Sequence, residues 1–363
     1  MNIPLFKVYM SPRDKLMPEL ERVLYSGYIS EGEEVRQFEE KFGRFIGQKN
    51  VLSFYSGTAA LHTALFLAGV KPGDEVITTP MTAEPTNLAI LYAGANPVWT
   101  DVCRFSGNMD AGAIAYKITE RTKAIMVVHY GGIPAQMDLI RAIGDCYHIP
   151  VIEDAAHALG AEYGGEKIGG HSDYVMFSFQ AIKHLTTVDG GALVVKKARD
   201  LRRGREFRWF GIDRRVKRDV VDIWRVGYKY HMNNVTAVIG LVQLDHIQDV
   251  IEQHINNGIY FDGVLEHIPG LYPCRGDHHA RPSYWFYTVL ADRRDDLMTK
   301  LRERGIGCGL VHRRNDLHSV FAGSHKELPN LDWFWEHMLH IPCGWWVSEE
   351  ERSYIAKTIR SGW

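Results

Sequence analysis

A chain of 363 residues with 45% hydrophobic side chains is long enough to bury a large core and to divide into more than one domain. Its 42 lysines and arginines against 44 aspartates and glutamates leave a formal charge of −2, which gives no basis for nucleic acid or an anionic membrane as a partner. No stretch approaches the roughly eighteen apolar residues of a membrane span, and the start, Met1-Asn-Ile-Pro-Leu-Phe-Lys7, lacks the basic and apolar runs of a secretory leader.

In chain order, Asn50–Tyr55 reads as a strand, and Ser56-Gly57-Thr58-Ala59-Ala60-Leu61 opens a helical pattern through Leu67. Free N–H groups after glycine and hydroxyl residues make such a helix start an anion site, although simple capping explains the same residues. The segments 75–79, 97–100, 124–129 and 150–153 read as buried strands, with amphipathic helical stretches at 86–93 and 137–146 among them. That alternation predicts βαβ units and a mostly parallel sheet with helices on both faces. Asp154 and His157 follow the last of these strands, at the end where open α/β sheets bind ligands. The strand-like runs 174–179 and 191–195 then flank a loop that carries Lys183.

From 233 to about 267 a long helical pattern leads into a second unit, with a strand at 284–290, a helix at 294–304 and the run Gly305–Val311. This reads as a large domain over 1–245 and a smaller α+β domain over 246–363. The five cysteines, Cys103, Cys146, Cys274, Cys308 and Cys343, are odd in number and show no CxxC spacing. Reduced thiols in a cytoplasmic enzyme are expected. His278-His279, His312 and His318 lack a recognisable ligand pattern, so no metal is expected.

The order of Ser56–Leu61, Asp154, Ser178 and Lys183 has a chemical meaning. A lysine with its ordinary pKa of about 10.4 is a poor nucleophile, and burial lowers that value. Schiff-base chemistry on pyridoxal phosphate requires such a lysine, an acid beside the pyridine nitrogen, and small or hydroxyl residues around the phosphate. Lys183, Asp154 and the pair formed by Ser56–Leu61 with Ser178 supply these parts.

The chain resembles the DegT/StrS-type family of pyridoxal-phosphate-dependent sugar-nucleotide aminotransferases, to which GDP-perosamine synthase belongs, nearly from end to end. The resemblance runs through Ser26–Gly32, Phe38–Phe42, Ser56–Leu61, Gly73–Ile77, Val128–Gly131, Glu153–His157, Ser178–Lys183, Asp189–Gly191, Gly227–Met232 and Gly240–Leu244. It implies the aspartate-aminotransferase-like fold (fold type I): a large domain with a mostly parallel mixed sheet plus the smaller α+β C-terminal domain. It further implies a Schiff base at Lys183, a pyridine-nitrogen partner at Asp154, an O3′ or ring contact at His157, and phosphate contacts at Gly57, Thr58 and Ser178. Family members place substrate near the segments of Trp209, Trp285 and His312. The tandem Arg313-Arg314 reads as a diphosphate clamp. A homodimer with shared active sites is implied as well, with Lys229 reaching the partner's cofactor phosphate from the position of a family asparagine.

Three segments depart from the family pattern. Pro80-Met-Thr-Ala-Glu-Pro-Thr-Asn87 has no aromatic to stack on the cofactor ring, so Ala83 or a neighbour packs there. The run Gly227-Tyr-Lys-Tyr-His231 replaces glycine-tyrosine-asparagine-tyrosine-arginine, and Arg208–Arg215 replaces an arginine-x-histidine-glycine loop. The expected activity is amino transfer from an amino acid, L-glutamate in first place, to a keto-sugar nucleotide in amino-sugar biosynthesis. The alternatives are a pyridoxal-phosphate-dependent sugar 3-dehydratase and a cofactor-binding regulator without turnover. Retention of Lys183, where 3-dehydratases carry histidine, favours the transaminase.

Overall fold

The computed structural model describes residues 1–214, 216–322 and 327–363. Its strands are β1 (Val51–Phe54), β2 (Glu75–Thr78), β3 (Asn96–Trp99), β4 (Thr122–Val128), β5 (Val151–Asp154), β6 (Glu162–Tyr163) and β7 (Glu166–Lys167). They continue with β8 (Tyr174–Ser178), β9 (Gly191–Val195), β10 (Leu271–Pro273), β11 (Ala280–Arg281), β12 (Tyr287–Ala291) and β13 (Met338–Ile341). Seven of them form one sheet in the order β1-β9-β8-β5-β4-β2-β3. All neighbours run parallel except β9, which is antiparallel to both β8 and β1.

Side chains alternate across this sheet, and each face has its own apolar cluster. Ile125, Val127, Val151, Val175 and Phe177 point to one face, where they meet Phe38 and Phe42 of the helix Glu33–Ile46. Ala124, Met126, Ile152, Met176 and Leu193 point to the other, against Ala60, Ala64 and Leu65 of the helix Gly57–Ala68. Burial on both faces explains why these strands read as continuous apolar runs. The expected mostly parallel mixed sheet is present.

The long helical pattern from 233 is two helices, Asn234–Gln243 and Ile247–Val264, interrupted at Leu244–His246. The second helix crosses the expected division at 245. Its first half, with Ile247, Val250, Ile251 and Ile255, packs in the large core, and Phe261 packs in a second core. That second core lies under the sheet β10-β12-β13 and includes Leu297, Leu301, Leu339, Ile341, Ile355 and Ile359. Gly305–Val311 makes only isolated bridges, from Ile306 to Ile3 and from Gly309 to His340. No helix among the described residues is long and apolar enough to cross a membrane.

Candidate active site

The expected site residues gather at the carboxyl ends of the parallel strands. After β1 the chain turns into the helix Gly57–Ala68, which Ser56 caps by accepting the Ala59 N–H at 3.2 Å. Capping therefore falls to Ser56, and Thr58 Oγ1 has no partner among the described hydrogen bonds. Gly57 is required by close approach. A Cβ there would lie 3.0 Å from Met176 Sδ and 3.2 Å from Ser178 Cβ, and one at Gly191 would lie 2.7 Å from the Gly57 nitrogen. The ends of β1, β9 and β8 thus press Gly57, Thr58 and Ser178 into one cradle at the positive end of a helix.

Asp154 ends β5 and is 4% exposed. Its Oδ2 accepts from Thr86 Oγ1 at 2.6 Å and its Oδ1 from the Ala156 N–H at 3.0 Å. Burial raises its carboxyl above the ordinary value, and the Thr86 and Ala156 donors and the nearby Lys183 work against that rise. Thr86 Oγ1 also lies 2.9 Å from Thr82 Oγ1. Since the Thr86 proton goes to Asp154, Thr82 must donate to Thr86, which gives a polarised relay.

Lys183 sits in the loop between β8 and β9, with its Nζ 3.6 Å from the centre of the Trp285 ring. Burial pushes its amine down to about 7, with Asp154 pulling the other way. The Trp285 indole is 1% exposed, and its Nε1–H donates to the Ile182 carbonyl at 2.7 Å. His157 stacks on Trp285 at 3.9 Å between ring centres and 17° between planes. His312 lies parallel to His157 at 5.2 Å, with the two Nε2 atoms 3.4 Å apart. Burial, followed by the neighbouring Lys183 charge, holds both imidazoles well below their usual range, so they are neutral. The Nδ1 of His157 is buried without a hydrogen-bond partner.

Lys183, Asp154, His157, Trp285 and His312 therefore converge, with Gly57, Thr58 and Ser178 at the same strand ends. Trp209 lies elsewhere, in a cleft of about 340 Å³ lined by Glu31, Glu39, Arg205, Arg208 and Arg214. Its ring is edge-on to His231 at 4.2 Å and lies under the Arg214 guanidinium at 4.7 Å. Arg215, which ends the expected loop departure, lies outside the described residues. Lys229 is exposed and bridges to Trp209, on the segment that pairs through His231 with Phe54 at the end of β1.

Arg313 is exposed, whereas Arg314 is buried. The Arg314 Nε and Nη2 donate to Asp316 at 2.8 and 2.7 Å, and its Nη1 pairs with Asp332. The two arginines do not form a common clamp in this structure. Ala83 is half-buried at the start of the helix Glu84–Tyr92.

Thr86 is a site residue without a motif. Its only sequence signal is its position in the first turn of the helix Glu84–Tyr92, and its aim at Asp154 depends on tertiary packing. Asn315 is another, since it bonds Asn87 and the Thr82 carbonyl and so fastens the His312 loop to the Thr82–Thr86 relay. On the surface, Asp277, His278 and His279 bring donor atoms within 4.8 Å of one another, a grouping that spacing did not suggest. Asp277 already accepts from Tyr163 Oη at 3.0 Å and from the His279 N–H at 2.8 Å.

These residues fit pyridoxal phosphate. A buried carboxylate whose ionised form accepts from the Thr86 hydroxyl and the Ala156 N–H is suited to a protonated ring nitrogen, and an amine whose proton affinity is lowered is suited to an aldehyde. The unpartnered His157 Nδ1 and Thr58 hydroxyl leave polar capacity for the ring substituents and the phosphate. A sequence model of the DegT/DnrJ/EryC1/StrS aminotransferase family matches residues 11–360. A UDP-4-amino-4-deoxy-L-arabinose–oxoglutarate aminotransferase of Shewanella sediminis is 33% identical over 342 residues, which cover 88% of each chain. The crystal structure of the sugar aminotransferase CalS13 from Micromonospora echinospora superposes with a TM-score of 0.96 at 38% identity, over 99% of this chain and 100% of that one. AtS13 from Actinomadura melliaura also gives 0.96 at 38% identity, over 100% of this chain and 99% of that one. With Lys183 and Asp154 at the strand ends and the match running over residues 11–360, the chain belongs to the DegT/DnrJ/EryC1/StrS family and is a pyridoxal-phosphate-dependent sugar aminotransferase.

Proposed function

We propose that the chain transfers an amino group from L-glutamate to the carbonyl of a keto-sugar nucleotide, for amino-sugar biosynthesis, as a homodimer with shared active sites. The observation that carries this reading is the convergence of Lys183, its Nζ 3.6 Å from the centre of the Trp285 ring, with the buried, Thr86-bonded Asp154 carboxylate. The relative from Shewanella, whose name couples a UDP-linked amino sugar to oxoglutarate, supports both the nucleotide and the donor.

Lys183 would hold the cofactor, Asp154 its ring nitrogen, His157 the ring or its O3′, and Gly57, Thr58 and Ser178 its phosphate. When bound, pyridoxal phosphate supplies an electron sink for the carbanion at the donor's Cα. The chain's own groups do the rest. An amine near pH 7 is matched to taking a proton from Cα and returning it, because general bases work best with a pKa near the operating pH. The Thr82–Thr86 relay and the Ala156 N–H favour the ionised form of Asp154, which keeps a proton on the ring nitrogen. Trp285 covers the lysine and limits water at the amine.

Arg313 and His312 are proposed to meet the sugar nucleotide, with Trp285 beside the sugar. Trp209, in its separate cleft, and Arg314, in its ion pairs, are proposed to shape the substrate approach rather than to grip the diphosphate. Lys229 is proposed to reach the partner's phosphate. Its exposure, and that of the apolar Tyr28, Ile29, Tyr55, Phe210 and Val226, supports a second copy over this face. The test is to add glutamate to the holoenzyme, then screen keto sugars carried on uridine, guanosine and thymidine diphosphates. Glutamate should bleach the lysine-bound absorbance, and the correct keto sugar should restore it with release of a stable amino sugar. A holoenzyme that glutamate does not bleach, or a 3-deoxy product, would overturn the reading.

A further inference from the structure

The segment from Ile3 to Ser11 is fastened across both cores although it belongs to no strand or helix of its own. Ile3 is fully buried, donates its N–H to the Gly305 carbonyl at 2.9 Å, and accepts from the Gly307 N–H at 2.7 Å. Trp346 Nε1 donates to the Pro4 carbonyl at 2.9 Å and Trp345 Nε1 to the Lys7 carbonyl at 3.3 Å. Gln243 accepts from the Ser11 N–H and hydroxyl and donates to the Tyr9 carbonyl at 2.9 Å. Between these anchors, Phe6 stacks on Trp285 at 4.9 Å and 30°, within one apolar cluster that also takes in Ile182.

Trp285 is the indole that grips the catalytic loop twice, by its bond to the Ile182 carbonyl and by its face against Lys183 Nζ. The backbone leading into it is held under strain. Tyr284 has φ 47°, a strained left-handed conformation for a bulky residue, and its ring fits only because residue 258 is glycine, where a Cβ would lie 2.3 Å away. The Trp285 N–H then donates to Gly131 O at 3.0 Å. A side chain placed by strain and by several bonds has a defined position, and Phe6 backs it.

We propose that the segment Ile3–Ser11 is part of the active-site wall, with Phe6 a positioning residue that acts through Trp285 to set where the Lys183 amine lies and how far water reaches it. The proposal rests on the reading of Lys183 as the residue that carries the cofactor. The charged and titratable groups around this amine are Asp154, His157, His184 and His312. Asp154 is the one anion among them, and burial keeps the three imidazoles neutral. Burial lowers the amine's proton affinity against the pull of Asp154, and the buried indole over the half-buried lysine, backed by Phe6, is part of that cover.

The test uses the apoprotein mixed with pyridoxal phosphate across a pH series, with the growth rate of the lysine-bound absorbance as the readout, since only the neutral amine reacts. Phe6→Ala should move the midpoint of that profile upward by about one pH unit, as water reaches the amine, and Phe6→Tyr should return it to the wild-type position. Should Phe6→Ala not fold, Phe6→Leu poses the same question, with a smaller upward shift expected. An unchanged midpoint in the folded variant would overturn the proposal, whatever its thermal stability. Absence of lysine-bound absorbance in the wild type at every pH would instead remove the reading of Lys183 itself.

Discussion

Thr86→Val tests the support given to Asp154, because valine keeps the shape of the side chain and removes only the hydroxyl that donates to Asp154 and accepts from Thr82. The lost bond is a 2.6 Å O–H···O contact to a buried carboxylate. Bonds to charged groups contribute about 1.5–3 kcal/mol, equivalent to about one to two pKa units. Burial already lifts the Asp154 carboxyl above its value in the unfolded chain, so the variant's carboxyl rises further. The sign for stability follows from proton counting. Where the folded pKa exceeds the unfolded one, the folded chain keeps its proton longer, and stability falls as pH rises through the folded pKa. The apo variant should therefore be less stable than wild type at neutral pH by about 1.5–3 kcal/mol, with the gap narrowing on acidification. Catalysis should fall in parallel, by about 10- to 100-fold in kcat/KM, because an Asp154 that is readily protonated holds the ring nitrogen's proton less well. Denaturant unfolding at several pH values and steady-state kinetics on the same preparations provide the assay. Activity within twofold of wild type, with no pH-dependent stability gap, would refute the argument and leave Thr86 as a packing residue.

Lys183→Met should abolish amino transfer and also remove a pH dependence. The wild-type amine, pushed down to about 7, is neutral in the fold while the unfolded chain stays protonated to about pH 10.4, so apo wild-type stability should rise with pH over that window relative to the variant. Identical slopes in the two proteins would show that the amine is not held in that state. Arg314→Ala removes the guanidinium from Asp316, whose side chain is fully buried, and should cost about 3 kcal/mol in chemical denaturation. A cost below about 1 kcal/mol would assign Arg314 to substrate instead of to the loop. Mixing the inactive variants Lys183→Ala and Lys229→Glu under subunit exchange should recover part of the activity. Mixtures that stay inactive, or full activity of Lys229→Glu alone, would remove the shared site.

The sheet was readable from local pattern because its strands are buried on both faces and separated by helical periods, a signal carried by neighbouring residues. Lys183, Asp154, Gly57 and Ser178 stood out by residue type and order, and the fold brings them to neighbouring strand ends. The interruption at Leu244–His246 was not, since the apolar period runs on across it and only packing against two cores decides where the helix turns. Arg313 and Arg314 look alike in the chain, and only the positions of Asp316 and Asp332 separate an exposed cation from a buried ion pair. Thr86, Trp285 and Phe6 meet the catalytic groups across 68, 103 and more residues of chain, a proximity that the tertiary fold alone creates. Residue type and order determined which chemistry this chain performs. Packing between distant segments decided which side chains tune it, because proton affinity depends on burial and on partners that no local pattern records.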